Sequence, residues 1–177
     1  MVMNLLAAST GMRQGEIRGL QLQYIHKDFI EVKFSWEDKY GLKEPKNHSE
    51  RIVPIPSIVS TKIQKLILGS PYRAPEDLLF YGRNNTHPID KKMVQRTFNK
   101  ALVNIKITDT QRRDRNVTFH SWRHFFNTLC RVGKVPDSKL QKLTGHKTQA
   151  MTEHYTHYKM DDFKDVMKIQ EEIFSAE

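Results

Sequence analysis

Residues 120–131 read HSWRHFFNTLCR and are followed by Gly133. Their apolar spacing predicts a helix that ends at this glycine. His120 and Arg123 stand three residues apart, so a helix places both side chains on one face. Taken alone, such a pair is typical of the polar edge of an amphipathic helix. The apolar run around Cys130 predicts that the opposite face, with its thiol, is buried.

Further helices are predicted on both sides of this run. Apolar residues recur at helical spacing in residues 3–10, 14–20, 58–67, 91–105 and 136–145. The helix over 136–145 would take Asp137 or Ser138 as its N-cap and end at Gly145. A last amphipathic helix is predicted over residues 162–174. Residues 106–117 are polar and basic, which predicts a solvated loop.

Two short segments have the alternating pattern of strands. Residues 29–34 alternate apolar and polar side chains, and residues 51–56 end in proline after an apolar run. The polar stretch over residues 38–49 predicts a turn between them. The two strands would form one small antiparallel sheet, so the predicted fold class is α+β and mostly helical.

Composition limits the classes of protein to which the chain can belong. It has 177 residues, the size of one domain, with a net charge of +9 and a pI of about 9.6. Such a basic domain suggests a polyanionic partner. With a single cysteine and no apolar stretch of roughly 18–20 residues, the chain has no internal disulfide and no predicted membrane span. The N-terminus lacks the basic start of a signal peptide. We therefore expect a soluble cytoplasmic protein.

Four segments carry residues suited to phosphate chemistry. They are residues 10–17 (TGMRQGEI), 45–54 (PKNHSERIVP), 120–124 (HSWRH), and 143–146 (LTGH) followed by Tyr155 nine residues after His146. Each segment alone is weak evidence, because an exposed arginine, a solvated lysine or a structural tyrosine would explain it. Their order along the chain is far more specific.

In that order the segments resemble the tyrosine recombinase (phage integrase) family over about residues 1–160. Thr144 and Trp122 stand where the family often has Leu, and we interpret both as packing variations. The resemblance implies a DNA breaking-rejoining catalytic domain over residues 1–160 and a C-terminal amphipathic tail helix over residues 161–177. Family members usually carry an N-terminal DNA-clamping domain before the residue matched by Arg13. We therefore expect the chain to be a truncated form or a fragment.

The resemblance implies a site-specific recombinase or integrase that acts on double-stranded DNA for the integration or excision of a mobile element. The reaction would pass through a 3′-phosphotyrosine and need no metal, cofactor or ATP. The implied catalytic residues are Arg13, Lys46, His120, Arg123, His146 and Tyr155.

The chemistry of each residue type fits its implied role. Arg13 and Arg123 would hold the scissile phosphate, because a guanidinium offers fork-shaped donors. Tyr155 would be the nucleophile. Lys46 would protonate the 5′-oxygen, and His120 would exchange a proton beside it. His146 would donate a hydrogen bond to a phosphate oxygen.

Nearby residues leave some alternatives open. Tyr158 is a competing nucleophile, although the nine-residue spacing from His146 favours Tyr155. Glu16 is interpreted as an (i, i+3) ion-pair partner of Arg13. A metal site is also conceivable from the local histidines, but no His-Glu-x-x-His motif, cysteine or carboxylate completes it. The histidines concerned are His120, His124, His146, His154 and His157.

The expected partner is double-stranded DNA, bound mainly through phosphates, with nucleoid association when bound. Candidate DNA contacts are Lys43, Arg51, Lys91, Lys92, Arg96, Arg112, Arg113 and Arg115. The resemblance also implies a homotetramer on paired recombination sites, with exchange of the tail helix between subunits. We expect the tail to be partly detached or swapped when DNA is absent. A DNA-binding module without catalysis and a type IB topoisomerase remain alternative functions.

Overall fold

The computed structural model describes residues 2–45, 50–145 and 160–174. The α-helices are α1 Val2–Thr10, α2 Gln14–Arg18, α3 Ser57–Leu68, α4 Lys91–Asn104, α5 Asp109–Asp114, α6 Ser121–Val132, α7 Asp137–Thr144 and α8 Lys164–Phe174. The strands are β1 Phe29–Val32, β2 Ser35–Glu37, β3 Gly41–Lys43, β4 Arg51–Pro54, β5 Tyr81–Asn84 and β6 His87–Pro88. The predicted α+β class with a helical majority is confirmed.

The strands form three separate antiparallel pairs among the described residues. The predicted pair is β1 with β4, in which Ile30 lies opposite Val53. The prediction of a single small sheet is wrong, because β2 with β3 and β5 with β6 form two more pairs. The reversal between β2 and β3 falls within the predicted turn, where Gly41 has the positive φ of 73° that a tight reversal needs, whereas β2 itself precedes that turn.

The buried core joins α1, α3, α6, α7 and the β1–β4 pair. Leu6, Val53, Phe126 and Leu143 are fully buried within it. The link from α1 to α2 passes over α6 at Gly11, whose φ is 64°. A Cβ at Gly11 would lie 2.5 Å from Cδ1 of Phe126, so only glycine fits this approach. The glycine thereby sets the path of the chain into Arg13.

Two local predictions need correction. Residues 106–117 are not a loop throughout, because α5 forms there with a capping box between Thr108 and Gln111. This helix buries none of its residues, so its sequence lacks an apolar period. Helix α7 was predicted to begin with a Ser or Asp cap, but its N-cap is Pro136 without a side-chain hydrogen bond. The predicted end at Gly145 is confirmed by its left-handed φ of 64°.

The tail packs on its own chain. Phe163 and Val166 are buried, and Nε2 of Gln170 donates to the carbonyls of Ser9 (2.6 Å) and Pro54 (3.0 Å). The expectation of a partly detached tail is therefore wrong for residues 160–174. Apolar burial and two buried hydrogen bonds hold this helix in place. In the described ranges no helix has both the length and the apolar character needed to cross a membrane.

Candidate active site

Arg13 is the N-cap residue of α2, and its side chain is one quarter exposed, at 26%. Its Nη1 lies 3.0 Å from Oε1 of Glu16, which confirms the predicted ion pair. Its backbone N–H also donates to Oε2 of the same carboxylate, at 2.8 Å. The remaining Nη2 donates to the carbonyl of Gly145 at 3.2 Å. Both the main chain and the side chain of Arg13 are thus held by Glu16.

Arg123 projects from the first turn of α6 and is buried, with 3% of its surface exposed. Its Nη1 donates to the carbonyl of Gly11 at 2.8 Å, and its Nη2 donates to the carbonyl of Thr144. Burial and the charge of Arg13 lower the pKa of Arg123 to about 10, a shift that Glu16 partly opposes and Arg51 reinforces. The guanidinium therefore stays charged at neutral pH.

Three arginines meet at the C-terminal end of α7, meaning the carbonyls of Leu143, Thr144 and Gly145. A helix leaves its last carbonyls without partners inside the helix. Here they accept from Arg51 Nε at 2.6 Å, from Arg123 Nη2, and from Arg13 Nη2 at 3.2 Å, respectively. Positive charge at this position is also favourable to the helix dipole. The two predicted phosphate-binding arginines therefore converge directly before His146.

Glu16 supplies the negative charge that stabilises this buried cluster of arginines. Its carboxylate is 1% exposed, and burial alone would raise its pKa. Ion pairs and hydrogen bonds from Arg51 and Arg13 outweigh burial and lower the pKa below its usual 4.5. Glu16 is therefore ionised at neutral pH.

His120 immediately precedes α6 and is exposed. Its ring centroid lies 5.1 Å from that of His124 in an edge-on arrangement. Partial desolvation lowers the pKa of His120, with further contributions from His124, Arg123 and Arg13. Because the charges of both arginines favour the neutral imidazole, His120 can accept a proton at the edge of the cluster.

The other three predicted catalytic residues, Lys46, His146 and Tyr155, lie outside the described residues, as does Tyr158. The described residues next to two of these segments show where the segments attach. Residues 46–49 connect Pro45 to the start of β4, and His146 follows Gly145 at the arginine cluster.

Arg51 is not placed where sequence reasoning put it. Its side chain is 6% exposed. Its Nη1 donates to Oε1 of Glu16 at 3.0 Å, and its Nη2 donates to Oε2 at 2.6 Å. The predicted DNA phosphate contact does not fit this burial. To reach a phosphate, Arg51 would have to leave Glu16, whose buried carboxylate would then lose its partner. The segment over residues 45–54 singles out Arg51 in the sequence, but it does not indicate that Arg51 pairs with Glu16.

The remaining candidate DNA contacts lie nearer the surface. Lys43 is partly exposed and pairs with Glu37 at 2.7 Å, and Arg112 pairs with Asp109 at 3.1 Å. The others are exposed: Lys91, Lys92 and Arg96 in the first half of α4, and Arg113 and Arg115 in and after α5.

Three further sequence interpretations concern Trp122, Cys130 and a metal site. Trp122 packs edge-on against Phe98 and Phe125, and its Nε1 donates to Asn4 at 3.3 Å, which agrees with a packing role. Cys130 is buried, and burial raises the pKa of its thiol to about 12, so it is not a nucleophile. Over residues 2–45, 50–145 and 160–174, no group of three or more His, Cys, Asp or Glu side chains could hold a metal ion.

The central role of Glu16 gives a stability prediction. We expect Glu16→Gln to lower the free energy of unfolding at neutral pH by about 3 to 5 kcal/mol, because it leaves buried arginines without their counter-charge. The folded-state pKa of Glu16 is below 4.5, so its contribution is present above that pH and is lost as pH falls through the folded-state pKa. The gap between wild type and variant should therefore narrow on acidification below this value. Urea melts across the pH range measure it.

Glu172→Gln is the matched control, since Glu172 is 63% exposed and lies 3.9 Å from Lys168. Its effect should stay within about 0.5 kcal/mol. A gap between Glu16→Gln and wild type that stays constant on acidification would contradict an ionised Glu16 in the fold.

Comparison with known proteins identifies the family of the chain. Residues 1–162 match the phage integrase family. Transposase B from transposon Tn554 of Staphylococcus aureus (strain Mu50) is 24% identical over 97% of the chain and 26% of its own length. Tyrosine recombinase XerC of Rickettsia canadensis is 30% identical over 63% of the chain and 34% of its own length. The chain thus spans about a quarter to a third of these curated relatives.

Solved structures share the fold. The Tn1549 transposon integrase, in complex with a circular intermediate DNA, superposes with a TM-score of 0.67 and 22% identity over 94% of the chain and 57% of its own. XerA recombinase superposes with a TM-score of 0.59 and 20% identity over 97% of the chain and 56% of its own. With the arginine cluster in place and the family match covering residues 1–162, the chain belongs to the phage integrase family of tyrosine recombinases.

Proposed function

We propose that this chain carries the catalytic site of a site-specific recombinase that cleaves and rejoins double-stranded DNA through a 3′-phosphotyrosine. The observation that carries the proposal is the convergence of two guanidiniums. Arg13 and Arg123 are 110 residues apart in the sequence, yet they reach the adjacent carbonyls of Gly145 and Thr144. A phosphate held between them would lie beside the point where His146 begins the next segment.

Two guanidiniums suit the charge that develops in phosphoryl transfer. Each offers parallel N–H donors to non-bridging oxygens, and donors fixed in advance lower the barrier most. Burial is the main cause of the lowered pKa of Arg123, and repulsion from Arg13 and Arg51 adds to it despite the opposing charge of Glu16. An arriving phosphate would relieve that repulsion, which favours binding of an anion.

The reaction then needs a nucleophile and an acid. In our proposal the phenolic oxygen of Tyr155 attacks phosphorus and the bond from phosphorus to the 5′-oxygen breaks. Lys46 gives its proton to that oxygen, and neutral His120 accepts the phenolic proton. His146 donates a hydrogen bond to a phosphate oxygen. Attack by a 5′-hydroxyl on the phosphotyrosine reverses these transfers and rejoins the strand, without ATP, metal or cofactor.

The names of related proteins support a role with mobile DNA. They include a transposon transposase, and a transposon integrase in complex with circular intermediate DNA. We therefore propose integration or excision of a mobile element as the process, and transfer of the cleaved strand to a partner duplex rather than topoisomerase-like resealing of the same strand. Four subunits on paired sites would provide the partners.

Tail exchange between subunits is part of this proposal. The contacts that α8 makes with Ser9 and Pro54 are on its own chain in the structure. The same docking surface could accept the α8 of a neighbouring subunit on DNA, because an exchanged helix reproduces identical contacts.

The exposed basic residues give a prediction for DNA binding. We propose phosphate contacts by Lys43, Lys91, Lys92, Arg96, Arg112, Arg113 and Arg115. Lys92→Ala should weaken binding equally for all sequences and reduce the slope of log affinity against log salt by about 1. Fluorescence anisotropy with a labelled duplex over a salt series measures both quantities.

Lys168→Ala is its control, because Lys168 is a comparably exposed lysine on α8 for which we propose no DNA contact. The same slope change in both variants would mean that only net charge matters. An unchanged slope for Lys92→Ala would remove Lys92 from the interface.

The direct test of the function is a nicked duplex that carries the sequence beside the protein's own gene. A nick next to the cleavage point lets the 5′-hydroxyl fragment diffuse away, so a 3′-phosphotyrosine adduct accumulates. We expect an adduct that survives denaturation and runs as protein plus one DNA strand. Tight binding of the same duplex without an adduct would instead favour a DNA-binding module without catalysis.

A further inference from the structure

Arg51 occupies the centre of the arginine cluster, although sequence reasoning gave it only a DNA contact. It is the first residue of β4 and follows Lys46 by five residues in the sequence. Three of its N–H groups are used inside the chain. Two of them meet the carboxylate of Glu16, and the third meets the carbonyl of Leu143.

The contacts with Glu16 reach Arg13 in one further step. Oε1 of Glu16 lies 3.0 Å from Nη1 of Arg51 and 3.0 Å from Nη1 of Arg13. Oε2 lies 2.6 Å from Nη2 of Arg51 and accepts the backbone N–H of Arg13 at 2.8 Å. Because each carboxylate oxygen is shared by both arginines, the orientation that Arg51 imposes on Glu16 is passed to the main chain and the side chain of Arg13.

The third contact reaches the other side of the site. Nε of Arg51 donates to the carbonyl of Leu143 at 2.6 Å, one residue before the carbonyl that Arg123 holds. The chain continues from this helix end into His146. A single buried guanidinium thus links β4, the Arg13–Glu16 pair and the end of α7.

We infer that Arg51 is a positioning residue for DNA cleavage, which aligns Arg13 and the end of α7 through Glu16 and Leu143 and makes no contact with DNA. This inference rests on the proposed function. Lysine would keep the charge of Arg51 but has no planar fork, so it cannot hold both carboxylate oxygens and the carbonyl together. Displacement of a phosphate-binding group by about 1 Å is enough to slow a reaction by about 100-fold.

The test is Arg51→Lys, assayed for adduct formation on the nicked duplex and for duplex affinity. We expect the adduct rate at saturating DNA to fall about 10- to 100-fold, with the dissociation constant and its salt slope unchanged. Glu16→Gln should give the same split between rate and affinity. In the double variant the two losses should not multiply, because both act on one contact.

Arg18→Lys is the matched control for burial and stability. Arg18 is 5% exposed and also uses its guanidinium for one carboxylate (Asp38, 2.7 Å) and one carbonyl (Ile89, 2.9 Å), but it touches neither Glu16 nor α7. Its replacement should lower the thermal midpoint by a similar amount and leave the adduct rate near that of wild type.

Each outcome decides between the inference and its competitors. A weaker affinity with a salt slope reduced by about 1 and a normal rate would identify Arg51 as a DNA contact. Equal rate losses in Arg51→Lys and Arg18→Lys would show a general effect of stability. If Arg51→Lys does not fold, a normal adduct rate in Glu16→Gln would still overturn the inference. Absence of an adduct with wild type would instead count against the proposed function itself.

Discussion

Tyr155→Phe should abolish covalent adduct formation on the nicked duplex, with a rate loss on the order of 1,000-fold or more. The phenylalanine ring keeps the shape of the tyrosine but has no oxygen to attack phosphorus. Binding should persist, because affinity for DNA comes mainly from contacts between basic groups and phosphates. The measurement is a denaturing gel of adduct against time, together with anisotropy for affinity.

Tyr158→Phe is the control that makes this result specific, since the two tyrosines are three residues apart. It should form the adduct at close to the wild-type rate. The opposite pattern, with adduct in Tyr155→Phe and none in Tyr158→Phe, would move the nucleophile to Tyr158 and show that the nine-residue spacing from His146 is a poor guide.

Arg123→Lys should reduce the adduct rate by about 100- to 1,000-fold, the range for loss of a preorganised donor to a developing oxyanion. Arg123 is 3% exposed and holds the carbonyls of Gly11 and Thr144 at once. A lysine cannot donate in both directions and to a phosphate as well. A buried carbonyl left without a donor should also lower the free energy of unfolding by about 1 to 3 kcal/mol. The adduct rate is measured at a temperature where the variant is folded, and the free energy of unfolding is measured by urea melts at the same temperature.

Arg131→Lys, on the same helix, separates this effect from a general change of arginine to lysine. Arg131 has a side chain 69% exposed, and its Nε lies 3.4 Å from Asp137. We expect no change in rate and little change in stability. A folded Arg123→Lys protein that cleaves within about tenfold of wild type would contradict a direct role for Arg123 at the phosphate.

Much of the fold follows from local patterns that the sequence displays. The predicted helices over residues 3–10, 91–105 and 120–131 appear within a residue or so of their expected ends, because each buries an apolar face. Glycines at helix ends are equally readable, as Gly145 shows. Elements without a buried face escaped prediction. Helix α5 is held by a capping box and buries nothing, and the β2–β3 hairpin is half exposed throughout.

The candidate site divides in the same way. Residue types in order along the chain predicted Arg13, His120 and Arg123 as site residues, and the (i, i+3) spacing predicted the Arg13–Glu16 pair that the structure shows. The position of Arg51 could not be read, because its partners Glu16 and Leu143 lie 35 and 92 residues away. Nor did the amphipathic pattern of the tail show that Gln170, a polar residue, would fix it to Ser9 and Pro54.

The most direct test of the account is to identify the residue to which the DNA becomes attached. The adduct formed on the nicked duplex would be digested with nuclease and protease, and the modified peptide sequenced by mass spectrometry. The account predicts a nucleotide linked through its 3′-phosphate to the oxygen of Tyr155. Attachment to any other residue, or a protein that binds the duplex and yields no modified peptide, would contradict it.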